Sequence, residues 1–396
     1  MLSQDRWLLP EGIEEVLPDE ARRIENLRRK VLDLFGTWGY RQVIPPFIEY
    51  IDSLLTGAGH DLDLQTFKLI DQMSGRLLGV RADMTPQVAR IDARCLGGDF
   101  PSRLCYLGTV LHTQSDHLER SRSPMQVGAE LYGHMGSASD LEIIRLMLET
   151  FAVCGIAHIS LDLGHVGIYR ELARQAGLVP QQEAELFEIL QRKACPDLLD
   201  YLTACGVGTD QADMLSALVE LNGGPDVIVE AKSRLASAGE IVMTALEEIN
   251  SVANQLAKLF SGLSIHFDLA ELRGYHYQTG MVFAVYVDGY GREVARGGRY
   301  NDIGKVFGRA RPATGFSADL KVLSRLASAY CDEAQVESVF APAIDDAALS
   351  DKIRELRAQG YCVIEQLPGQ SGDANAMGCS HQLQFDDLEW KALSLT

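Results

Sequence analysis

The chain has 396 residues, 46% of them hydrophobic and 23% charged, with 36 Gly and 13 Pro. This is the composition of a globular protein with material for a substantial core, and it excludes a disordered, collagen-like or disulfide-stapled chain. A formal net charge of −19 opposes binding to phosphate backbones, so nucleic acid is not expected as the main partner.

From Asp19 to Trp38 the apolar residues Ile24, Leu27, Val31, Leu34, Phe35 and Trp38 recur at helical spacing, with Asp19 as the cap and Gly36 and Gly39 at the end. Tyr40 to Pro46 reads as a strand that its prolines confine to an edge or an interface. Phe67 to Val80 reads as a hairpin around Ser74-Gly75, and Thr85 to Cys95 as a helix. Two further strands, Leu104 to Thr113 and Pro124 to Tyr132, flank a polar loop holding Arg120 and Arg122; Asp140 to Cys154 is a helix. Between Gly167 and Phe260 helical periodicity takes over, broken at Gly223-Gly224-Pro225. Strand character returns at Ser264 to Leu269. It is strongest at Gly280 to Val287, where Gly289-Tyr290-Gly291 turns the chain into Arg292 to Ala295. Thr314 to Phe316 then leads into a last helix ending near Ala329. The tail has a short strand–helix–strand pattern with 12 acidic and 4 basic residues, and is too small for a robust independent domain.

Strands and helices do not alternate regularly, which disfavours a doubly wound parallel sheet. The expected class is α+β, an antiparallel sheet flanked by helices. Its expected parts are a core in two pieces, 1–166 and 261–330, a helical insertion at 167–260, and a reduced α/β segment at 331–396. No segment offers the roughly 18 apolar residues of a membrane span, and the acidic stretch Met1 to Glu15 is not a signal peptide. The eight cysteines are scattered with no C-x-x-C pair, and no His cluster has metal-ligand spacing. Free thiols in a reducing cytoplasm, without a metal site, are the expected state.

Three segments place polar groups where a small ligand could sit. Arg81-Ala82-Asp83-Met84-Thr85 lies at a strand-to-helix junction, and taken alone Asp83 and Thr85 read as helix caps. In Gln126-Val127-Gly128-Ala129-Glu130, strand alternation puts Gln126, Gly128 and Glu130 on one face. That face is either solvated or a polar pocket whose carboxylate would hold an amine or imidazolium. Leu272-Arg273-Gly274-Tyr275-His276-Tyr277, with Gly297-Gly298-Arg299-Tyr300, offers close backbone approach, an arginine for a carboxylate and tyrosines for a ring. A purely structural Gly-rich hairpin would look the same. There is no nucleophile triad, P-loop or dinucleotide fingerprint.

In this order, the segments resemble the catalytic core of class II aminoacyl-tRNA synthetases, specifically histidyl-tRNA synthetase, from about Pro10 to Ala329. Gly39 to Glu49 resembles motif 1, Leu104 to Gly133 motif 2, Gly297 to Leu326 motif 3 and its approach, and Leu272 to Phe283 the histidine-specific motif. Two departures are decisive. The Phe-Arg-x-Glu of motif 2 is replaced by Leu111-His112-Thr113-Gln114, and Val322 stands at the motif 3 arginine. Losing one donor to developing phosphate charge costs on the order of 10²- to 10³-fold, so ATP activation is expected to be absent.

The amino-acid pocket, by contrast, is kept. By resemblance Asp83 stands at a synthetase glutamate and Thr85 at its threonine. Gln126 and Glu130 stand at side chains reading the histidine ammonium and imidazole, and Arg273, Tyr277 and Tyr300 surround the carboxylate and ring. The combination is similar to the regulatory subunits of ATP phosphoribosyltransferase, as are the strings Trp7 to Gly12, Leu54 to Gly59 and Arg273 to Tyr277. This resemblance implies a non-catalytic, cytoplasmic chain without cofactor or metal that dimerises through its motif 1 region. It further implies a hetero-octamer with the short-form catalytic subunit of ATP phosphoribosyltransferase, activation of the first step of histidine biosynthesis, and feedback inhibition by histidine. Neither tRNA nor a membrane is an implied partner. Two alternatives stand: a histidine-activating, synthetase-like ligase drawing a cation from Arg120, Arg122 or Arg299, or an amino-acid-sensing module for another partner.

Overall fold

A computed structural model of the protein describes residues 8–56, 60–114, 121–193, 195–271, 274, 277–328 and 337–395. Trp7, Arg120, Arg273, Tyr275, His276 and Ala329, and the 57–59 part of the Leu54 to Gly59 string, lie outside the described residues. The chain divides into two compact units, Met1–Tyr330 and Cys331–Thr396.

Helix α1 (Pro18–Thr37) buries the stripe Ile24, Leu27, Val31 and Phe35. Its N-cap is Leu17 rather than Asp19, because Pro18, which has no N–H to leave unpaired, takes the first helical position. Asp19 sits inside the first turn, 2.8 Å from Arg22. Strand β1 (Arg41–Gln42) follows, cut short before Pro45 and Pro46. Strand β2 (Ile48–Tyr50) leads through the short helices α2 (Ile51–Leu55) and α3 (His60–Gln65) to β3 (Lys68–Ile70) and β4 (Leu77–Val80). These three strands form a separate antiparallel sheet in the order β2-β4-β3. Helix α4 (Thr85–Ile91) continues as a π-helical turn to Leu96.

Next come β5 (Ser102–Thr109), β6 (Met125–Tyr132), α5 (Ser137–Val153) and β7 (Ile159–His165). Helices α6 (Val166–Gln175), α7 (Pro180–Gln191), α8 (Cys195–Ala204) and α9 (Thr209–Glu220) then run to the two-residue strand β8 (Asn222–Gly223). Helices α10 (Asp226–Arg234) and α11 (Glu240–Leu259) precede β9 (Ser264–Asp268), β10 (Met281–Val287), β11 (Glu293–Arg299), β12 (Ala313–Asp319) and α12 (Leu320–Ser328).

The large sheet has the order β1-β5-β6-β12-β11-β10-β7-β9-β8. From β5 to β7 every pair is antiparallel, while β1 on β5 and β9 on β7 are parallel. Strands β7 and β12 depart from the sequence expectation. Residues 159–165 form β7, and the segment expected to enter a helix at Thr314 to Phe316 is the seven-residue strand β12. Gly315, Ser317 and Ala318 are poor strand formers by themselves. Pairing with β6 on one side and β11 on the other holds β12 extended.

One face of the sheet is dry. Cys105, Val127, Ala129, Phe316, Ala318 and Ala295 pack in a single apolar core with Phe35 of α1, Ile143 and Met147 of α5, and Leu246 and Ile249 of α11. Residues one step along each strand face the other way. Two buried ion pairs brace the rim: Arg311 holds both oxygens of Asp92 at 2.9 Å, and Arg299 reaches Asp140 at 3.0 Å.

The second unit contains β13 (Ser338–Ala341), α13 (Ala347–Ala358), β14 (Cys362–Glu365), β15 (His381–Asp386) and β16 (Glu389–Ser394) in a sheet ordered β14-β13-β15-β16. Asp346 caps α13, and Val339, Leu349, Ile353, Val363, Leu383 and Trp390 form the core. The β15–β16 hairpin lies beyond the strand–helix–strand pattern of the sequence. Its turn puts Asp387 and Leu388 at φ 49° and 70°, where a glycine-rich signal is usual and leucine gives none.

Candidate functional site

The polar face of β6 carries Gln126, Gly128 and Glu130, as strand alternation requires. Register extends this face sideways: Glu130 lies opposite Gly315 of β12, which lies opposite Gly298 of β11, and Tyr106 of β5 lies opposite Gly128. The glycines are obligatory. A Cβ at Gly315 would overlap the Glu130 carboxylate, and one at Gly128 would overlap the Tyr106 hydroxyl.

Glu130 is 1% exposed, and no cation among the described residues pairs with it. Its oxygens accept hydrogen bonds from Tyr106 (2.9 Å) and from Tyr300, which donates to the second oxygen. Burial raises the Glu130 carboxyl to about 8, against the lowering effect of the tyrosine hydroxyls. The Thr85 hydroxyl lies 3.1 Å from Tyr106, and the Tyr277 ring stacks on Tyr300 with centroids 4.8 Å apart. Burial also drives the hydroxyls of Tyr106, Tyr132, Tyr277 and Tyr300 well above their ordinary range, so all four remain protonated donors.

A second polar group forms beside the first. Asp83 accepts from the Gln126 amide at 2.7 Å and from the Thr85 backbone at 2.9 Å, while the Gln126 oxygen accepts from Met84 at 2.9 Å. Neither Asp83 nor Thr85 is the N-cap of α4, a position that Met84 takes: Thr85 is the first helical residue, and Asp83 holds its N–H from one residue outside the cap and also orients Gln126. These residues open on a cavity of about 940 Å³, lined as well by Tyr277, Gln278 and Tyr300. The structure thus brings Asp83, Thr85, Gln126, Glu130, Tyr277 and Tyr300 to one cavity; Arg273 lies outside the described residues. Sequence reading missed Tyr106 and Tyr132. Alternation within β5 and β6 carries their signal, but only the β5–β6 register makes it legible.

The same cavity extends past His112, Asp319 and Val322. His112 turns its Nε2 to the Ala82 carbonyl at 2.9 Å, and Val322 brings no charge. The buried Lys321 ammonium donates to the Ser123 carbonyl at 2.8 Å. Asp319 accepts from the backbone of Met125 and Lys321, both at 3.0 Å, and burial pushes its carboxyl above the usual range. Arg122 is occupied by the carbonyls of His112 and Glu11 at 3.0 Å each. Arg299 is turned to Asp140, Ser139 and the Gly136 carbonyl.

Residues 12–323 match the histidyl-tRNA synthetase family, and residues 336–392 match the ATP phosphoribosyltransferase subunit HisZ C-terminal domain. An ATP phosphoribosyltransferase regulatory subunit from Methylococcus capsulatus is 62% identical over 98% of this chain and 96% of its own. One from Thioalkalivibrio sulfidiphilus is 58% identical over the full length of both. The chain belongs to the family of ATP phosphoribosyltransferase regulatory subunits. Its fold is shared with a Bacillus halodurans crystal structure described as an ATP phosphoribosyltransferase regulatory subunit/histidyl-tRNA synthetase, with TM-score 0.82, 27% identity, and 94% of this chain and 96% of that one covered. Histidyl-tRNA synthetase from Nostoc has the same fold at TM-score 0.78 and 19% identity, covering 96% and 91% of the two chains. A family of regulatory subunits built on a synthetase fold fits a cavity that keeps an acid-and-tyrosine end and has no arginine at residues 112 and 322. Among the described residues no helix is long and apolar enough to cross a membrane.

Proposed function

We propose that the chain is the non-catalytic, histidine-sensing subunit of a cytoplasmic ATP phosphoribosyltransferase. It assembles with the short-form catalytic subunit, as a hetero-octamer, activates the condensation of ATP with phosphoribosyl pyrophosphate, and transmits feedback inhibition by histidine. The observation that carries this reading is Glu130: a buried carboxyl with two tyrosine donors and no cationic partner among the described residues, facing a cavity. A ligand that brings its own cation completes such a site. In this reading Asp83, Thr85 and Gln126 receive the histidine ammonium, Glu130 the imidazole, and Tyr277 and Tyr300 wall the ring. Arg273 takes the carboxylate by resemblance alone. For feedback, histidine must bind one assembly state more tightly than another, a coupling of typically about 1–3 kcal/mol.

Calorimetry of the full chain is the direct test, with histidine and ATP titrated separately and pyrophosphate exchange assayed in parallel. The expected result is histidine binding, no ATP binding and no exchange, because by resemblance His112 and Val322 stand at the motif 2 and motif 3 arginines. Exchange dependent on histidine would instead establish the synthetase-like ligase. Histidine binding with no effect on ATP phosphoribosyltransferase activity would point to a different partner.

Self-association belongs to the same proposal. Ile48, Tyr50 and Leu69 share one face of the β2-β4-β3 sheet and are 45%, 36% and 37% exposed, whereas α2 covers the opposite face around Gly79. An apolar sheet face left open favours covering by a second copy. Ile48→Asp combined with Leu69→Asp should sediment as a monomer where the unmodified chain sediments as a dimer, with unchanged far-ultraviolet circular dichroism. A dimer in both would move the interface elsewhere.

A further inference from the structure

A smaller cavity of about 390 Å³ lies on the dry side of the large sheet, where the end of β7 meets α11. His165 and Gly167 form one wall, and Glu240, Ile241, Thr244 and Glu248 of α11 the other. His165 ends β7 on the face it shares with Leu161 and Leu163, which belong to the apolar core. It is 9% exposed. Its Nδ1 accepts the Gly167 N–H at 3.1 Å and so caps α6, which leaves the ring's proton on Nε2. That nitrogen faces Glu248 but approaches it only to 3.5 Å, the outer limit of a hydrogen bond. The contact still holds the Glu248 carboxyl below its usual range, against burial, so the group is ionised at neutral pH. Glu240, Thr244 and Glu248 recur every four residues and share one helix face. Among the described residues no lysine or arginine stands within ion-pair distance of Glu240 or Glu248, whereas their neighbour Glu247 is paired with Lys232 at 2.6 Å. Ile241 at the rim is 60% exposed.

We propose that this cavity is a docking site for a basic side chain, arginine or lysine, projecting from the catalytic subunit. This rests on the partner named in the proposed function and says where on this chain that partner is held. Glu240 and Glu248 are rooted about 12 Å apart along the helix, so Glu248 receives the cation while Glu240 attracts it at the mouth. The carboxylate of Glu248 has lone pairs to spare beyond the long His165 contact. Ile241 and Ala245 give the alkyl stem of the incoming residue an apolar surface to lie on. The position also suits a subunit that reports on a ligand bound across the sheet. The Val166 N–H, next to His165, donates to the Gly280 carbonyl at 2.9 Å, and the Thr279 N–H donates to the Arg299 carbonyl at 2.7 Å. Tyr300 follows Arg299 and holds Glu130. Two backbone hydrogen bonds thus join the docking site to the wall of the larger cavity.

The test is assembly of the full chain with the purified short-form catalytic subunit, followed by sedimentation at low and at high salt. Glu248→Gln keeps the side chain's shape and removes its charge; Glu240→Lys reverses an exposed charge in the first turn of α11. Each should weaken assembly at least about tenfold at low salt, and Glu240→Lys should also remove much of its salt dependence. Asp33→Lys makes the same charge change at an exposed position of α1 and should assemble like the unmodified chain. Circular dichroism shows whether each variant is folded, and Glu248→Gln decides if Glu240→Lys is not. Assembly as tight in both cavity variants as in the unmodified chain overturns the site. Equal weakening by Asp33→Lys overturns it too, because net charge would then account for the effect. Failure of the unmodified chain to assemble at all would instead remove the proposed partner, and this site with it.

Discussion

Glu130→Ala should lower histidine affinity by about a hundredfold or more and leave the chain's sedimentation unchanged. A hydrogen bond to a charged group contributes about 1.5–3 kcal/mol, and truncation also leaves the ligand's own ring N–H unpaired inside a dry cavity. Together these exceed the roughly 2.8 kcal/mol that a hundredfold change represents. Tyr106 and Tyr300 also lose their common acceptor, so the pocket loses the geometry of its tyrosines along with its charge. Oligomerisation should be indifferent, because Glu130 lies on β6 of the large sheet while the open apolar face belongs to the separate β2-β4-β3 sheet. Calorimetry and sedimentation on one preparation check both halves. Affinity within a few-fold of the unmodified chain would remove Glu130 as the ring's partner.

How far the site was legible in the sequence follows from which contacts are local. Gln126, Gly128 and Glu130 were readable because strand alternation needs only the residues of one strand. The dual role of Asp83 was half readable: its bond to the Thr85 backbone spans two residues, but the bond to Gln126 spans 43. Tyr106 was not readable, since its approach to Glu130 depends on the register between β5 and β6. The same cause hid β12, whose extended form comes from neighbours some 180 residues earlier on β6 and about 20 earlier on β11. Helices were easier: the α1 stripe from Ile24 to Phe35 is visible in any window, and each end of the helix was misplaced by a single residue. The lost motif 2 and motif 3 arginines are substitutions at single positions, so family resemblance finds them where periodicity cannot. The structure adds that Arg122 and Arg299 already have other partners.

The protonation of Glu130 predicts a pH dependence of stability whose sign can be worked out. Folding raises this carboxyl from 4.5 to about 8. Below about pH 4.5 the group is protonated in folded and unfolded chains alike and contributes no difference. As pH rises from there, the unfolded chain ionises freely while the folded chain keeps its proton, so the folded state is progressively disfavoured. The loss levels off above about pH 8, where the folded carboxyl ionises too, and a shift of this size corresponds to at most about 5 kcal/mol. Glu130→Gln removes the titration but keeps the shape and an acceptor oxygen, and the tyrosine hydroxyls can rotate to receive its amide protons. Without histidine, the variant's melting temperature should therefore climb relative to the unmodified chain between about pH 4.5 and 8, then run parallel to it. Curves parallel across the whole range would mean that the tyrosine donors keep Glu130 ionised in the fold. Added histidine should reverse the order of the two proteins near neutral pH, because it stabilises only the chain that binds it. The carboxyl that costs the empty protein stability is then the one that fastens its ligand.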